Sequence, residues 1–288
     1  MAYADVWFQS ADGLKLHARD HAGAGDHMPV LCLSGLTRNV RDFEPVADLV
    51  GTGRRIVAMD YRGRGQSQYA DDPQAYRPDF EAADAFLLLD TLGISRAAII
   101  GTSRGGIVAM VMAAQNRDRL AGILFNDIGP VLGKQGLLRI RSYLGKSASF
   151  AGWRDAVVAL KRTHDAFRGL SEEDWLAFAH RVYREENGNP ALDYDLRLGE
   201  TFPTAEEIEA GPLPDLWALF DGLDGLPLSV LRGDHSDLLS ADTVAEMQRR
   251  HPGLEATAIP DRGHVPFLDE PESVAAIRRW LARVDAAG

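Results

Sequence analysis

Three residue types that together can make a hydroxyl reactive are spread along this chain of 288 residues: Ser103, an aspartate at 234 or 237, and His264. A serine hydroxyl is a poor nucleophile at neutral pH and needs a base beside it. A histidine can take that proton and later hand it to a leaving group, while a buried carboxylate orients the imidazole and stabilises its charged form. Ser103 stands in Gly101-Thr102-Ser103-Arg104-Gly105-Gly106, a G-x-S-x-G pattern with one further glycine. The apolar run 97–100 before it predicts a buried strand, and residues 107–114 carry a helical pattern. A serine on such a strand-to-helix turn is held in a strained backbone with its hydroxyl clear of the sheet. Gly101 and Gly105 are needed there because a Cβ would collide with neighbouring backbone. The new helix points its first N–H groups at whatever the serine attacks.

Residues so far apart in sequence need a scaffold that gathers them. Apolar strand-like runs at 6–9, 15–19, 30–33, 55–60, 97–100 and 122–125 alternate with helical patterns at 43–50, 79–92 and 107–119. The first two runs read as a hairpin across Ala11-Asp12-Gly13, and Asp79 reads as the N-cap of its helix. Alternation predicts an α/β fold, a mostly parallel sheet with helices on both faces. It breaks between 131 and 226, where helices are expected at 136–144, 153–167, 172–184 and 215–223, and Ser171 is a good N-cap. Residues 187–214, rich in Gly, Pro and acidic side chains, read as surface loop. This stretch is longer than a sheet crossover needs, so it predicts a helical cap at 131–226 inserted into a core of 1–130 and 227–288. Alternation resumes with strands at 228–231 and 256–259 and helices at 241–250, capped by Ser240, and 272–284. Each candidate then follows a strand, and the C-terminal ends of parallel strands share one edge of the sheet. Asp127 also follows a strand, but it ranks behind Asp237 and Asp234 as the acid because its strand directly follows the nucleophile helix.

The order serine, acid, histidine, with these turns, resembles the α/β-hydrolase superfamily. Asp60-Tyr61-Arg62-Gly63-Arg64-Gly65-Gln66-Ser67 resembles the D-x-R-G-x-G-x-S stretch of its capped esterases, C–C hydrolases and haloperoxidase-like members, and Gly263-His264-Val265-Pro266 resembles its histidine turn. The resemblance covers the chain outside the cap. It departs at Ser34-Gly35, where many members carry His-Gly; that histidine is not a catalytic base, so the change alters loop packing and leaves the oxyanion hole. It implies a Ser103–His264–Asp237 triad, the acid lying a few residues past a strand-end glycine, where the usual spacing falls nearer Ser236. It also implies an oxyanion hole from the backbone N–H groups of Leu36 and Arg104, and no metal or organic cofactor. Arg62 and Arg64 are expected to be structural. Arg38 and Arg104 belong on the active-site edge, free to bind a substrate carboxylate or to be solvated or paired internally. Leu138 and Trp217 are expected in the pocket wall under the cap. The implied activity is serine-dependent cleavage of a small ester or lactone. The alternatives are a C–C hydrolase of ring-cleavage diketones or a slow-turnover small-molecule receptor. Ser103 at the nucleophile position excludes the aspartate-nucleophile dehalogenases and epoxide hydrolases.

The composition narrows partners and compartment. Lys and Arg number 31 against 42 Asp and Glu, for a net charge of −11. An acidic surface argues against nucleic acid and anionic membranes as partners. No apolar run is long enough to span a bilayer, and the N-terminus shows no basic-then-apolar signal, so a cytoplasmic location is expected. The lone Cys32 lies in an apolar strand and reads as a small buried hydrophobe. His17, His21 and His27 share no zinc-type spacing.

Overall fold

The computed structural model of the chain describes residues 2–50 and 53–287. Met1 and Gly288, the outer bounds expected for the core, lie outside the described residues. An eight-stranded sheet runs in the order β1 (Ala4–Gln9), β2 (Lys15–His21), β4 (Ile56–Asp60), β3 (Val30–Leu33), β5 (Ala97–Thr102), β6 (Leu120–Asn126), β9 (Leu228–Gly233), β10 (Glu255–Ile259). Strands β4 to β10 in that order are parallel, and β2 joins β4 antiparallel at one side. The central strands β3, β4, β5 and β6 are buried along their length and mostly apolar because both faces are covered. In β3, Leu31 and Leu33 face one apolar layer and Val30 and Cys32 the other, the period of two that a strand imposes. The first layer is closed by α2 (Pro78–Thr91), α3 (Arg104–Asn116) and α9 (Ala241–Arg250), and the second by α1 (Glu44–Val50) and α10 (Pro271–Ala287).

The elements read from the sequence recur here with shifted ends. Ser171 and Ser240 cap their helices as expected. Asp79 does not: the helix starts one residue earlier at Pro78, and Asp79 sits in its first turn, paired with Arg77. Residues 187–214 are more ordered than a loop. Asn187-Gly188, both at positive φ, close a small hairpin of β7 (Arg184–Glu186) and β8 (Asn189–Ala191), as Asn-Gly turns do. Thr204 and Glu207 then form a capping box that starts α7 (Ala205–Ala210).

Residues 131–226, which lie between β6 and β9, divide in two. Helix α4 (Lys134–Tyr143) and helix α8 (Trp217–Asp221) send Leu137, Ile140 and Phe220 into the main core. Helices α5 (Trp153–Thr163) and α6 (Glu172–Val182) instead pack on each other around a separate apolar cluster of Val157, Leu160, Phe167, Trp175 and Phe178. Phe267, three residues past His264, joins that cluster from the core side. Among the described residues no helix is long and apolar enough to cross a membrane.

Candidate active site

Ser103 sits between β5 and α3 at φ 50° and ψ −113°, the strained turn its motif predicts. The glycines around it are sterically fixed. A Cβ on Gly105 would lie 2.0 Å from the Leu33 carbonyl oxygen, and one on Gly101 would lie 2.7 Å from the backbone of Gly105. The Ser103 N–H donates to the Asn126 carbonyl at 3.0 Å, which ties the turn to the end of β6.

With Nδ1 of His264 protonated, the Ser103 hydroxyl donates to His264 Nε2 at 2.8 Å, and Nδ1–H donates to Asp127 Oδ2 at 2.8 Å. Asp127 is fully buried and held from two further sides. Its Oδ1 accepts the Gly233 N–H at 2.9 Å, and its Oδ2 accepts the Ser236 hydroxyl at 2.6 Å. The expectation for the acid is therefore corrected. Asp237 is not bonded to His264; it is occupied by Arg139 of α4, whose Nε and Nη2 meet its two oxygens at 2.6 and 2.8 Å. Burial pushes the Asp237 carboxyl up, but the Arg139 hydrogen bonds and charge outweigh it and hold it below the usual carboxylate range. Asp234 is exposed and, like Asp237, is not the partner of the imidazole. The β9 loop still contributes, through Ser236 and Gly233, which brace Asp127 rather than supply the acid.

The loop after β3 passes beside the serine: a Cβ on Gly35 would lie 3.8 Å from that of Ser103. Leu36 lines the cavity there. Two groups of the Asp60–Ser67 stretch fix this loop. Asp60 accepts the Val40 N–H at 2.8 Å and the Gln66 N–H at 3.1 Å, and Arg64 Nε donates to the Leu36 carbonyl at 2.8 Å. Ser34, where the sequence departs from the His-Gly of the resemblance, donates to the Arg38 carbonyl at 3.2 Å and steadies the same loop. Arg64 is completely buried against Glu81, 2.9 Å away, and Glu81 also receives Arg104 Nε at 2.7 Å. The Arg104 side chain thus turns toward Glu81 and the Tyr76 carbonyl. One buried carboxylate couples the residue after the serine to the loop across from it, a link that no spacing in the sequence announces. Arg62 pairs with Asp12 and Asp84, a structural role as expected.

A cavity of about 330 Å³ opens over Ser103 and His264. Its floor is the edge of the sheet, and its roof is α4 to α6 and the 146–150 loop, including Ile140, Tyr143, Phe150, Leu160 and Phe178. Arg38 lines it, with Nε on Asp42 at 2.8 Å and its guanidinium 4.8 Å from the Phe178 ring centre. Leu138 and Trp217 do not line it. Leu138 is half-buried against the main core; Trp217 lies against Phe220 and under the Arg250 guanidinium, 4.1 Å from its ring centre. Their apolar character within the expected cap suggested the pocket wall but not which core their helix faces. The residues that do form the wall include Arg139 and Tyr143, on the same helix as Leu138 but on a different face, and His164, just past the end of α5. Burial, with Arg139 and Arg38 nearby, lowers the His164 imidazole to about 3, so it stays neutral.

The arrangement can activate a hydroxyl, polarise a carbonyl at the α3 N-terminus and shield both from water. The family model for the alpha/beta hydrolase family matches residues 30–277. A crystal structure of an alpha/beta hydrolase from Novosphingobium aromaticivorans is 44% identical, covers 98% of this chain and 99% of its own, and superposes with a TM-score of 0.91. A 3-hydroxybutyrate-oligomer hydrolase of Cupriavidus necator is 32% identical over 85% of each chain. An esterase of Mycobacterium tuberculosis is 25% identical over 88% of this chain and 82% of its own.

Proposed function

The chain belongs to the alpha/beta hydrolase family, and on that premise we propose that it is a serine hydrolase cleaving a small carboxylic ester or lactone through an acyl-enzyme. The observation that carries this reading is the unbroken line of hydrogen bonds from Ser103 through His264 to the buried Asp127. In the proposed cycle Ser103 Oγ attacks the substrate carbonyl carbon as His264 Nε2 takes its proton. Asp127 keeps Nδ1–H directed at itself and stabilises the imidazolium. The oxyanion of the tetrahedral intermediate is received by the backbone N–H groups of Leu36 and Arg104, one such donor being worth roughly 3 to 4 kcal/mol in the transition state. His264 then protonates the departing alcohol, and a water activated by the same imidazole releases the acid. Helices α4 to α6 act as the lid over this chemistry. The esterase and the oligomer hydrolase among its relatives support ester cleavage.

The test is covalent labelling. An organophosphonate or sulfonyl fluoride is expected to modify Ser103, read by intact-protein mass spectrometry and peptide mapping, and Ser103→Ala is expected to abolish steady release from a p-nitrophenyl ester. Labelling elsewhere, or unimpaired hydrolysis by Ser103→Ala, overturns the mechanism. Faster turnover of a ring-cleavage dienoate than of any ester transfers the reading to C–C cleavage. A single slow turnover with altered hydrogen exchange in α5 and α6 transfers it to a receptor.

A further inference from the structure

The cavity is cationic although the chain as a whole carries a net charge of −11. Four of its lining residues are cations, Arg38, Arg139, Lys146 and Arg181. Three of these carry a counter-carboxylate: Asp42 on Arg38, Asp237 on Arg139, and Asp269 at 3.5 Å from Arg181. Lys146, exposed at the rim, has no ion-pair partner among the described residues. The balance is one positive charge, which suits a monoanion better than a phosphate dianion. The two inner guanidiniums are also oriented. Asp42 and Asp237 each occupy the Nε and Nη2 edge of their arginine. That leaves both Nη1 hydrogens of Arg38 without a hydrogen-bond partner among the described residues, while Arg139 Nη1 makes one long contact, 3.4 Å, to the Thr163 carbonyl. An arginine fixed in this way presents its remaining N–H donors without further loss of side-chain freedom, and a carboxylate matches their planar fork. Tyr143, whose hydroxyl has no partner among the described residues, lines the same wall. Arg38 and Arg139 line the same cavity as His164, whose imidazole both charges help to keep neutral.

We propose that Arg38 and Arg139 form a carboxylate subsite, with Lys146 at its entrance, and that the preferred substrate is an ester bearing a second, free carboxylate. The proposal rests on the hydrolase reading only for the word substrate; the subsite itself is a binding site. The carboxylate stays a spectator, held by hydrogen bonds while the ester is presented to Ser103.

Two matched ester pairs place the anion on the acyl or on the alcohol side: monoethyl adipate against ethyl 6-methylheptanoate, and 4-acetoxybutanoate against 4-methylpentyl acetate. In at least one pair the anion is expected to have the higher kcat/KM, by on the order of tenfold or more, the scale of a charge-assisted hydrogen bond. That ratio is expected to fall to near unity in Arg38→Gln and in Arg139→Gln. A preference for the neutral ester in both pairs overturns the subsite, as does a ratio that survives both substitutions or a loss in the variants that is uniform across each pair. Titration calorimetry of Ser103→Ala with monoethyl adipate and with 4-acetoxybutanoate, with and without Arg139→Gln, separates this proposal from the mechanism. Binding of either anion that requires Arg139, with no turnover of any of the four esters by the parent protein and no labelling of Ser103, sustains the subsite and refutes the hydrolase. Binding of neither anion more tightly than its neutral partner refutes the subsite alone.

Discussion

Replacing Asp127 by Asn tests which carboxylate serves the imidazole. Asp127 Oδ1 accepts the Gly233 N–H at 2.9 Å, and Oδ2 accepts both His264 Nδ1–H at 2.8 Å and the Ser236 hydroxyl at 2.6 Å. An asparagine has one acceptor oxygen for these sites. If that oxygen stays on the Gly233 N–H, the amide NH2 faces His264, whose Nδ1 must then accept. The ring proton moves to Nε2, the nitrogen facing Ser103, and the base is lost. If the amide flips, its NH2 meets the Gly233 N–H and two donors are buried face to face. A wrong-tautomer histidine costs about 10⁴-fold in kcat where such an acid has been neutralised, equivalent to ~5.4 kcal/mol of barrier. Asp127→Asn is therefore expected to lower kcat on a neutral p-nitrophenyl ester by roughly that factor, with the fold retained by circular dichroism. Asp237→Asn removes a half-exposed ion pair with Arg139 (side chains 21% and 29% exposed) and is expected to cost less than about tenfold. Because Asp127 acts through His264, the double variant with His264→Ala should be no slower than His264→Ala alone. An Asp127→Asn enzyme within tenfold of the parent (roughly 1.4 kcal/mol), or a larger loss in Asp237→Asn, refutes the reasoning.

Two further outcomes follow from buried charge. His17 lies between Asp60, 2.7 Å from Nδ1, and Asp5, 2.9 Å from Nε2. Burial disfavours its imidazolium, but the hydrogen bonds and charges of Asp60 and Asp5 outweigh that and raise its pKa. A raised folded-state pKa stabilises the protein below the unfolded value of about 6.5 and loses that contribution as pH rises through the folded value. The Tm deficit of His17→Gln should be largest below about pH 6 and shrink toward pH 9, and a deficit that is flat or grows over that range contradicts this. Glu81→Gln leaves the buried Arg64 without its counter-charge, so a stability loss of about 3 kcal/mol is expected in urea. Because Glu81 links Arg104 to the Leu36 loop, kcat is expected to fall with KM little changed; an unaltered kcat beside the same stability loss would limit Glu81 to the scaffold.

The chain declares its sheet plainly, because strands buried on both faces carry continuous apolar runs that hardly any other element needs. Ser103 was equally legible, since Gly101 and Gly105 are demanded by contacts of 2.7 and 2.0 Å that no side chain could share. Side-chain direction on the helices of the insertion was not legible. Leu138 and Arg139 are neighbours in α4, yet only Arg139 reaches the cavity, and which of them does so depends on whether α4 packs on the core or on α5. The Asn187-Gly188 hairpin was readable as a turn signal but was hidden by the polar composition around it.

The acid shows most clearly what spacing leaves open. In the sheet β6 lies between β5 and β9, so both Asp127 and the β9 loop end on the edge where His264 arrives. Neighbouring strands are about 4.8 Å apart, and an aspartate just past either strand end has nearly the same reach. What separates them is what else each carboxylate finds. Asp127, at φ 55°, turns inward immediately after β6 and meets Gly233 N–H and the Ser236 hydroxyl, which stabilise an ionised, buried acceptor. Asp237 is drawn outward by Arg139, a residue contributed by the insertion nearly a hundred positions away. Ser236 stands near the place in the β9 loop where the resemblance led us to expect the acid, and its hydroxyl donates to the carboxylate of Asp127. On the proposed reading the charge beside the imidazole comes from β6 instead of β9, which leaves Asp237 to pair with Arg139 at the wall of the cavity.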